Sequence, residues 1–249
     1  MSGSGPALAG RVALVVGGVG GIGAAIAEAF CAEGAIVVVA DHLAQEAEEK
    51  ARVVGAAGSV ILDVTSQASV DAAVQQVLAT HGHIDVLVNS AGILSEASLV
   101  EMSVTQWQET IDVDLTGVFL TCRAVIPHMI ERGEGRGVNV ASRLGVEGGR
   151  GLVHYSAAKA GVLGLTKALA LEVAEHGVLV NAIAPGPVHT AMVAGITEDW
   201  KLAEQAELPF GRFGVPEEVA PTAVLLAGSP GGNLYVGQTL GPNSGDVMP

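Results

Sequence analysis

The chain has 249 residues, of which 49% are hydrophobic and 34 are glycine. This composition suits one large α/β domain covering residues 1–249 and is short for two domains. The 12 Lys and Arg residues against 26 Asp and Glu residues give a net charge of −14, which argues against nucleic acid, anionic membranes and acidic carrier proteins as partners.

Other compositional features narrow the location and the chemistry. The chain has no apolar run long enough to span a membrane, and its N-terminus lacks the basic and apolar regions of a signal peptide. We therefore expect a cytoplasmic protein. Cys31 and Cys122 lie in apolar segments and the histidines lack ligand spacing, so we expect reduced thiols and no metal site.

Short runs rich in Val and Ile alternate with stretches of helical length along the chain. The predicted strands are residues 11–16, 35–40, 59–62, 84–88, 137–141 and 178–183, with an edge strand at 235–240. The predicted helices are residues 21–33, 44–57, 66–80, 104–131 and 153–176. This alternation predicts a doubly wound parallel sheet of the Rossmann type, with helices on both faces.

The connecting segments are of two kinds. Residues 133–137 and 145–151 are predicted to be ordinary glycine-containing loops. Residues 185–215 begin with two prolines and show weak periodicity. This segment is the best candidate for a mobile lid over a substrate.

A glycine-rich turn follows the first predicted strand and opens the first helix. Such a turn lets the backbone approach a pyrophosphate, with free N–H groups and the positive end of the helix dipole facing it. A flexible turn is the simpler interpretation, but its place in the first βαβ unit favours dinucleotide binding. The residues concerned are Gly17, Gly20, Gly21, Ile22 and Gly23.

Asp41 follows the second strand, and an acid there can accept hydrogen bonds from both hydroxyls of the adenosine ribose. It would also repel a 2′-phosphate, so the sequence favours NAD over NADP. A cap for the next helix is the alternative role for Asp41. Further along, Asp63, Val64, Asn89, Ala91 and Gly92 follow the third and fourth strands and are expected to line the adenine side and the floor of the cleft.

The chemical groups come later in the chain. Tyr155 and Lys159 are one helical turn apart, so the ammonium can stabilise a phenolate and also hold the nicotinamide ribose. Tyr155 is then the general acid or base. Ser142 follows the fifth strand at the carboxyl edge of the sheet, where ligands bind, and its hydroxyl can hold the substrate oxygen.

These separated motifs, in this order, resemble the short-chain dehydrogenase/reductase family over essentially the full length of the chain. The family patterns correspond to Val16 through Gly23, Asn89 through Gly92, the triad Ser142, Tyr155 and Lys159, and Asn181 through Gly186. The resemblance implies a seven-stranded sheet, NAD(P)-linked alcohol or ketone chemistry and a homotetramer. It also implies nicotinamide contacts from Pro185, Gly186, Val188 and Thr190.

The chain departs from the family pattern in four places. Val16 replaces a threonine and Ser90 an asparagine, and both changes look tolerable. Asp114 stands where the family has the asparagine that completes a catalytic tetrad. We expect activity to persist with a shifted pH optimum, because the carboxylate can raise the pKa of Lys159. The C-terminal residues 237–245 also differ from the family's usual ending.

The predicted substrate contacts are mostly apolar and come from loops after the fourth to sixth strands: Ile93, Leu94, Leu144, Val146, Pro187, Met192 and Trp200. They favour a hydrophobic secondary alcohol or ketone as substrate. Arg143, Arg150 and His154 lie near the triad in sequence and could instead bind a substrate carboxylate.

Two other functions stay open at this point. A 3-oxoacyl thioester reductase shares the whole scaffold, although that role usually uses NADPH. A nucleotide-binding sensor without turnover is the alternative from another class. Such proteins typically lose the tyrosine or the lysine, and this chain has both.

Overall fold

The computed structural model describes residues 5–248. Its sheet has seven strands in the order β3-β2-β1-β4-β5-β6-β7, and every neighbouring pair is parallel. The strands are β1 (Val12–Val16), β2 (Ile36–Asp41), β3 (Gly58–Ile61), β4 (Val86–Asn89), β5 (Gly135–Val140), β6 (Val178–Ile183) and β7 (Thr239–Leu240). The predicted Rossmann-type fold and its seven-stranded sheet are confirmed.

Helices connect the strands and cover both faces of the sheet. They are α1 (Gly21–Ala32), α2 (Ala44–Val54), α3 (Gln67–His81), α4 (Val104–Ile111), α5 (Gly117–Arg132), α6 (Leu144–Glu147), α7 (Val153–Val173), α8 (Ala191–Ala194), α9 (Glu198–Glu207) and α10 (Pro216–Ala227). A π-helical turn, Asp112–Thr116, joins α4 to α5, and a 3₁₀ turn, Ala174–His176, follows α7.

Strand β1 shows why the sheet is buried on both faces. Val12, Leu14 and Val16 belong to one hydrophobic core, while Ala13 and Val15 belong to the other. Each is at most 1% exposed. Alternate side chains therefore enter opposite cores, and burying each larger one contributes about 1.5–3 kcal/mol. A continuous apolar run of strand length is the sequence signature of this arrangement.

Several element boundaries differ from the predictions. The predicted helix 104–131 is interrupted by the π-helical turn, and β5 begins within the predicted loop 133–137. Helix α6 overlaps the start of the predicted loop 145–151, and the predicted edge strand 235–240 is a strand only over its last two residues. Helix α10 was not predicted, although Pro216 followed by Glu217 and Glu218 is a typical helix start.

The stretch Val104–Arg132 is long and apolar enough to cross a membrane by length and composition alone. In its most apolar window 44% of the residues are buried inside the fold. Val118, Val125 and Met129 from α5 all lie in the core beside the sheet. The helix is therefore accounted for as a core helix of the α/β fold.

Candidate active site

One cavity of about 430 Å³ opens at the carboxyl ends of the strands, where strand order reverses between β1 and β4. The predicted residues that line it at the cofactor end are Gly17, Gly20, Gly21, Ile22, Gly23, Asp41, Asp63, Val64, Ala91, Gly92, Pro185, Gly186, Val188 and Thr190. Ser142, Tyr155 and Lys159 line the same cavity. The fold thus brings the glycine-rich turn and the triad to one space.

The glycine-rich turn is packed too closely for side chains. Gly17 has φ +75°, and a Cβ there would lie 2.4 Å from the Ala91 amide nitrogen. A Cβ on Gly23 would lie 2.2 Å from the Gly17 carbonyl oxygen. Helix α1 begins at Gly21, so the amides of its first turn have no intrahelical carbonyl partner. This cradle fits the pyrophosphate of a dinucleotide.

Asp41 ends β2 and is 8% exposed at the edge of the cavity. Its carboxylate accepts hydrogen bonds from the amides of Val19 and Leu43, both at 3.3 Å. Leu43, not Asp41, is the N-cap residue of α2, so the capping alternative is not supported. The Lys and Arg residues among the described lining are Lys159 and Arg143; the neighbour of Asp41 there is His42, whose Nδ1 lies 3.1 Å from the carboxylate.

Helix α7 and the end of β5 position the triad. Tyr155, Lys159 and Ser142 are 8%, 3% and 7% exposed. The Lys159 ammonium donates to the Val140 carbonyl at 3.1 Å and lies 5.5 Å from the centre of the Tyr155 ring. The Ser142 hydroxyl accepts a hydrogen bond from the Leu144 amide at 3.2 Å. The three groups are therefore held in a desolvated corner of the cavity.

Burial and neighbouring charges shift the pKa values of Tyr155 and Lys159. Burial raises the pKa of Tyr155 above its ordinary value, and the Asp114 carboxylate acts in the same direction, while the Lys159 charge and the Ser142 hydroxyl oppose the shift. Burial alone lowers the pKa of Lys159, but the carboxylate of Asp114 and the phenol outweigh it, so the pKa of Lys159 is raised. The neutral phenol and the charged ammonium are the favoured forms.

Asp114 is fully buried in the π-helical turn. One of its carboxylate oxygens accepts from the Ile93 amide at 2.8 Å, and the other lies 3.4 Å from the Lys159 ammonium. Burial raises the pKa of Asp114, and the Lys159 charge opposes that shift. Asp114 does not line the cavity. Its carboxylate is therefore placed to influence Lys159 and Tyr155 by charge without contacting a substrate, and the predicted catalytic role of Asp114 stays a prediction.

Asn89 has a different place from the one predicted. Its side-chain amide donates to Asn139 at 2.9 Å and accepts from the Thr121 hydroxyl at 2.7 Å. Asn89 is 3% exposed and is not part of the cavity lining. It therefore joins β4, β5 and α5 beneath the cavity, and the predicted cofactor contact is corrected to a structural role. The residues that follow it, Ala91 and Gly92, do line the cavity.

The substrate end of the cavity is mostly apolar. Ile93, Leu94, Leu144, Pro187, Met192 and Trp200 line it, as the sequence predicted. Val146 does not, and it is 50% exposed. Leu94 and Trp200 pack against a small cluster formed by Leu144, Leu152 and Tyr155. An apolar group next to the reacting carbon fits this wall.

The three candidate carboxylate binders have other surroundings. The Arg143 guanidinium faces the carboxylates of Glu147, Glu204 and Asp246. His154 is fully buried and its Nε2 lies 2.9 Å from the Ser95 hydroxyl. Arg150 is exposed and is not part of the lining. The Arg143 guanidinium is therefore already paired with protein carboxylates and does not face a substrate carboxylate. Two of its partners, Glu204 and Asp246, lie in distant segments and were not predicted.

Comparison with known proteins supports this description. The family model described as short chain dehydrogenase matches residues 11–201. A protein of Thermotoga maritima named 3-oxoacyl-[acyl-carrier-protein] reductase is 39% identical over 97% of this chain and 99% of its own length. The solved structure titled "Crystal structure of gox2181" is 36% identical, covers 96% of each chain and has a TM-score of 0.92.

A second solved structure shows how little the fold alone says about the reaction. It is titled "Crystal Structure of Ribose-5-phosphate Isomerase from Brucella melitensis 16M". It is 34% identical, covers 98% of this chain and 95% of its own, and also has a TM-score of 0.92. The reaction must therefore be argued from the residues of the site.

Proposed function

Because this chain belongs to the short-chain dehydrogenase family, an oxidoreductase family, we propose that it reduces the ketone of a 3-oxoacyl thioester with NADH. The observation that carries the proposal is the convergence of Ser142, Tyr155 and Lys159 on the cavity that holds the glycine-rich turn. The thioester is favoured by the full-length relative named for that reaction. This replaces the simple secondary alcohol as the first choice.

The residues of the site divide the work of the reaction. The hydride that reduces the carbonyl carbon would come from NADH held at the cofactor end of the cavity. The Ser142 hydroxyl holds the carbonyl oxygen, and Tyr155 donates its phenolic proton to that oxygen as negative charge develops on it. The buried ammonium of Lys159 stabilises the phenolate that remains.

The raised pKa of Tyr155 favours the reduction direction of the reaction. A raised pKa keeps the phenol protonated at neutral pH, which is the form that donates a proton. Oxidation of the alcohol requires the phenolate and is favoured only as the pH rises toward that raised pKa. We therefore expect reduction to weaken, and oxidation to strengthen, with increasing pH.

The choice of NADH depends on Asp41. Its carboxylate lies where the adenosine ribose is expected and would repel a 2′-phosphate. Among the described residues that line the cavity, the Lys and Arg side chains are Lys159 and Arg143, and both lie at the triad and not beside Asp41. These residues support NADH, although a 3-oxoacyl thioester reductase usually uses NADPH.

A hydrophobic secondary alcohol or ketone is the second candidate substrate. The apolar wall of Leu94, Leu144 and Trp200 favours it. The net charge of −14 also disfavours docking of an acidic carrier protein over a wide surface. A thioester of coenzyme A is the better first test substrate because it needs no such protein–protein surface, although its phosphates are also negative. The non-catalytic sensor is disfavoured because both Tyr155 and Lys159 line the cavity.

A substrate panel tests the proposal. Purified protein is given NADH or NADPH with acetoacetyl-coenzyme A, the same acyl group on a carrier protein, or simple hydrophobic ketones, and nicotinamide absorbance is followed. We expect NADH-dependent reduction of the coenzyme A thioester. Tyr155→Phe should lower kcat/KM by roughly 10²–10⁴-fold and leave NADH binding unchanged.

The outcomes separate the candidates. Turnover of simple ketones without thioester reduction would favour the second candidate. Cofactor binding without any turnover would favour the sensor.

The homotetramer implied by the family stays a prediction. Trp107 on α4 and Phe119 on α5 are 36% and 49% exposed, so both helices present apolar surface that a second copy would cover.

A further inference from the structure

Arg143 occupies an unusual position directly after Ser142. It is only 7% exposed, and its amide donates to the Pro185 carbonyl at 3.0 Å. The backbone of this residue therefore joins the serine loop to the loop that opens the candidate lid. Its side chain lies at the edge of the cavity without projecting a free charge into it, because three carboxylates surround the guanidinium.

The three carboxylates come from three separate segments. Glu147 belongs to α6, Glu204 to α9 and Asp246 to the C-terminal segment. The Asp246 carboxylate lies 2.6 Å from Arg143 Nε, and Glu147 and Glu204 each contact a terminal nitrogen. One side chain thus connects the serine loop with the lid helix and with the end of the described chain.

The C-terminal segment is itself packed against both ends of the candidate lid, residues 185–215. The Gly186 amide donates to the Pro242 carbonyl at 3.2 Å, and the Phe210 amide donates to the Ser244 carbonyl at 3.1 Å. A Cβ on Gly186 would lie 2.8 Å from the Asn243 backbone. Asp246 therefore reaches Arg143 from a segment that already touches both ends of residues 185–215.

Few side-chain contacts attach helix α9 to the rest of the fold. None of its residues is fully buried, whereas Ile196 before it and Leu208 after it are 5% and 4% exposed. Trp200 lies one turn before Glu204 and packs against the cluster that contains Tyr155. The two anchors, the tryptophan, the Arg143–Glu204 contact and a hydrogen bond from the Thr197 hydroxyl to the Glu96 carboxylate at 3.3 Å hold the helix over the catalytic tyrosine.

We propose that Arg143 is a positioning residue that holds α9 closed through Glu204, with Trp200 against Tyr155, and so limits which acyl or alkyl groups enter the substrate end. We name Arg143, Glu147, Glu204 and Asp246 the arginine clasp. Only the kinetic test of this role rests on the proposed carbonyl reduction; the fluorescence test of the lid does not.

The charge of the clasp gives it a pH dependence. One guanidinium faces three carboxylates, and Glu207 adds further negative charge nearby. Burial raises the pKa of both Glu204 and Asp246, with Arg143 opposing the shift. An open lid would return both groups toward their ordinary pKa. The closed form therefore binds more protons, and we expect rising pH to favour opening.

The test follows the position of Trp200 directly. The chain has two tryptophans, so Trp107→Phe leaves Trp200 as the single reporter. In that background, Arg143→Met should increase acrylamide quenching of Trp200 and shift its emission to longer wavelength, and Arg143→Lys should recover part of the difference. Arg52→Met removes an exposed arginine on α2 and should leave the emission unchanged.

The kinetic expectation separates positioning from chemistry. Arg143→Met should raise KM for the ketone by roughly tenfold with a smaller change in kcat, while the Kd for NADH stays unchanged. Its acceptance of bulkier ketones should increase relative to the parent. If Arg143→Met does not fold, Glu204→Ala makes the same test, because it removes the lid's half of the contact and alanine keeps the helix.

The outcomes are distinct from those of the proposed function. Unchanged Trp200 quenching in Arg143→Met and Glu204→Ala, with NADH binding retained, would overturn the clasp. Increased quenching in a protein that reduces no carbonyl would support the clasp and reject the proposed function. Loss of NADH binding together with the quenching change would also overturn the clasp, since the arginine would then support the whole fold and not the lid.

Discussion

The two ends of the cavity are built from different material. At the cofactor end the contacts of the glycine-rich turn are backbone to backbone: Gly17 and Gly23 lie in places that exclude a Cβ, and the Asp41 carboxylate lies beside them. At the substrate end the lining is made of apolar side chains from several loops and from α9. The ion pairs of Arg143 with Glu204 and Asp246 join α9 and the C-terminal segment to the serine loop behind this lining. The first end is fixed by local geometry, and the second by charges and long-range packing.

This contrast teaches that the two ends should fail in different ways. A side chain added in the glycine-rich turn would clash with backbone atoms, so the substitution should lower both the free energy of unfolding and the affinity for the cofactor. A change in the lid meets mobile side chains, so its cost appears in substrate affinity and selectivity.

The largest effect is expected from Gly17→Ala. The new Cβ would lie 2.4 Å from a backbone nitrogen at a φ of +75°, so we expect a loss of about 2–5 kcal/mol of unfolding free energy from strain and overpacking. Thermal unfolding with and without NADH measures it, and stabilisation by NADH should nearly vanish. Gly164→Ala in α7 has open space around its Cβ and should gain up to about 1 kcal/mol. Equal behaviour of the two variants would contradict the rigid cradle.

A smaller effect is expected from Asp41→Ser. Loss of the carboxylate removes charged hydrogen bonds to the ribose and the repulsion of a 2′-phosphate, so the NADH to NADPH preference should fall by roughly 10–100-fold. The ratio of kcat/KM with the two cofactors measures it. Asp71→Asn on the exposed surface of α3 is the control. An unchanged ratio would show that Asp41 does not select the cofactor.

The smallest change in rate is expected from Asp114→Asn. Removing the carboxylate takes away an influence that raises the pKa of Tyr155 and another that raises that of Lys159. Alcohol oxidation, which needs the phenolate, should therefore reach its plateau at lower pH, with kcat at neutral pH changed by less than about tenfold.

The pH profile of kcat for Asp114→Asn makes the measurement. Asp112→Asn, in the same π-helical turn but with its carboxylate bonded to Gln108, serves as the matched comparison. A profile identical to that of the parent protein would show that the carboxylate does not tune the site.

Much of the architecture could be predicted because it is written in local patterns. The apolar run of β1 is continuous because both faces of that strand are buried. Tyr155 and Lys159 share a helix face because they are four residues apart, and the glycine-rich turn lies at a fixed place after β1. The role of Asn89 could not be read in the same way, because its partners Thr121 and Asn139 lie far along the chain.

The sequence by itself determined the sheet, the dinucleotide cradle and the identity of the triad, since each depends on residues close together in the chain or on strand burial. Only the tertiary structure decided which groups surround Arg143. Its partner Glu204 is 61 residues away and Asp246 is farther still, and no spacing rule connects them. Long-range charge pairing depends on where the folded backbone places each side chain, so it becomes visible only once the chain is folded.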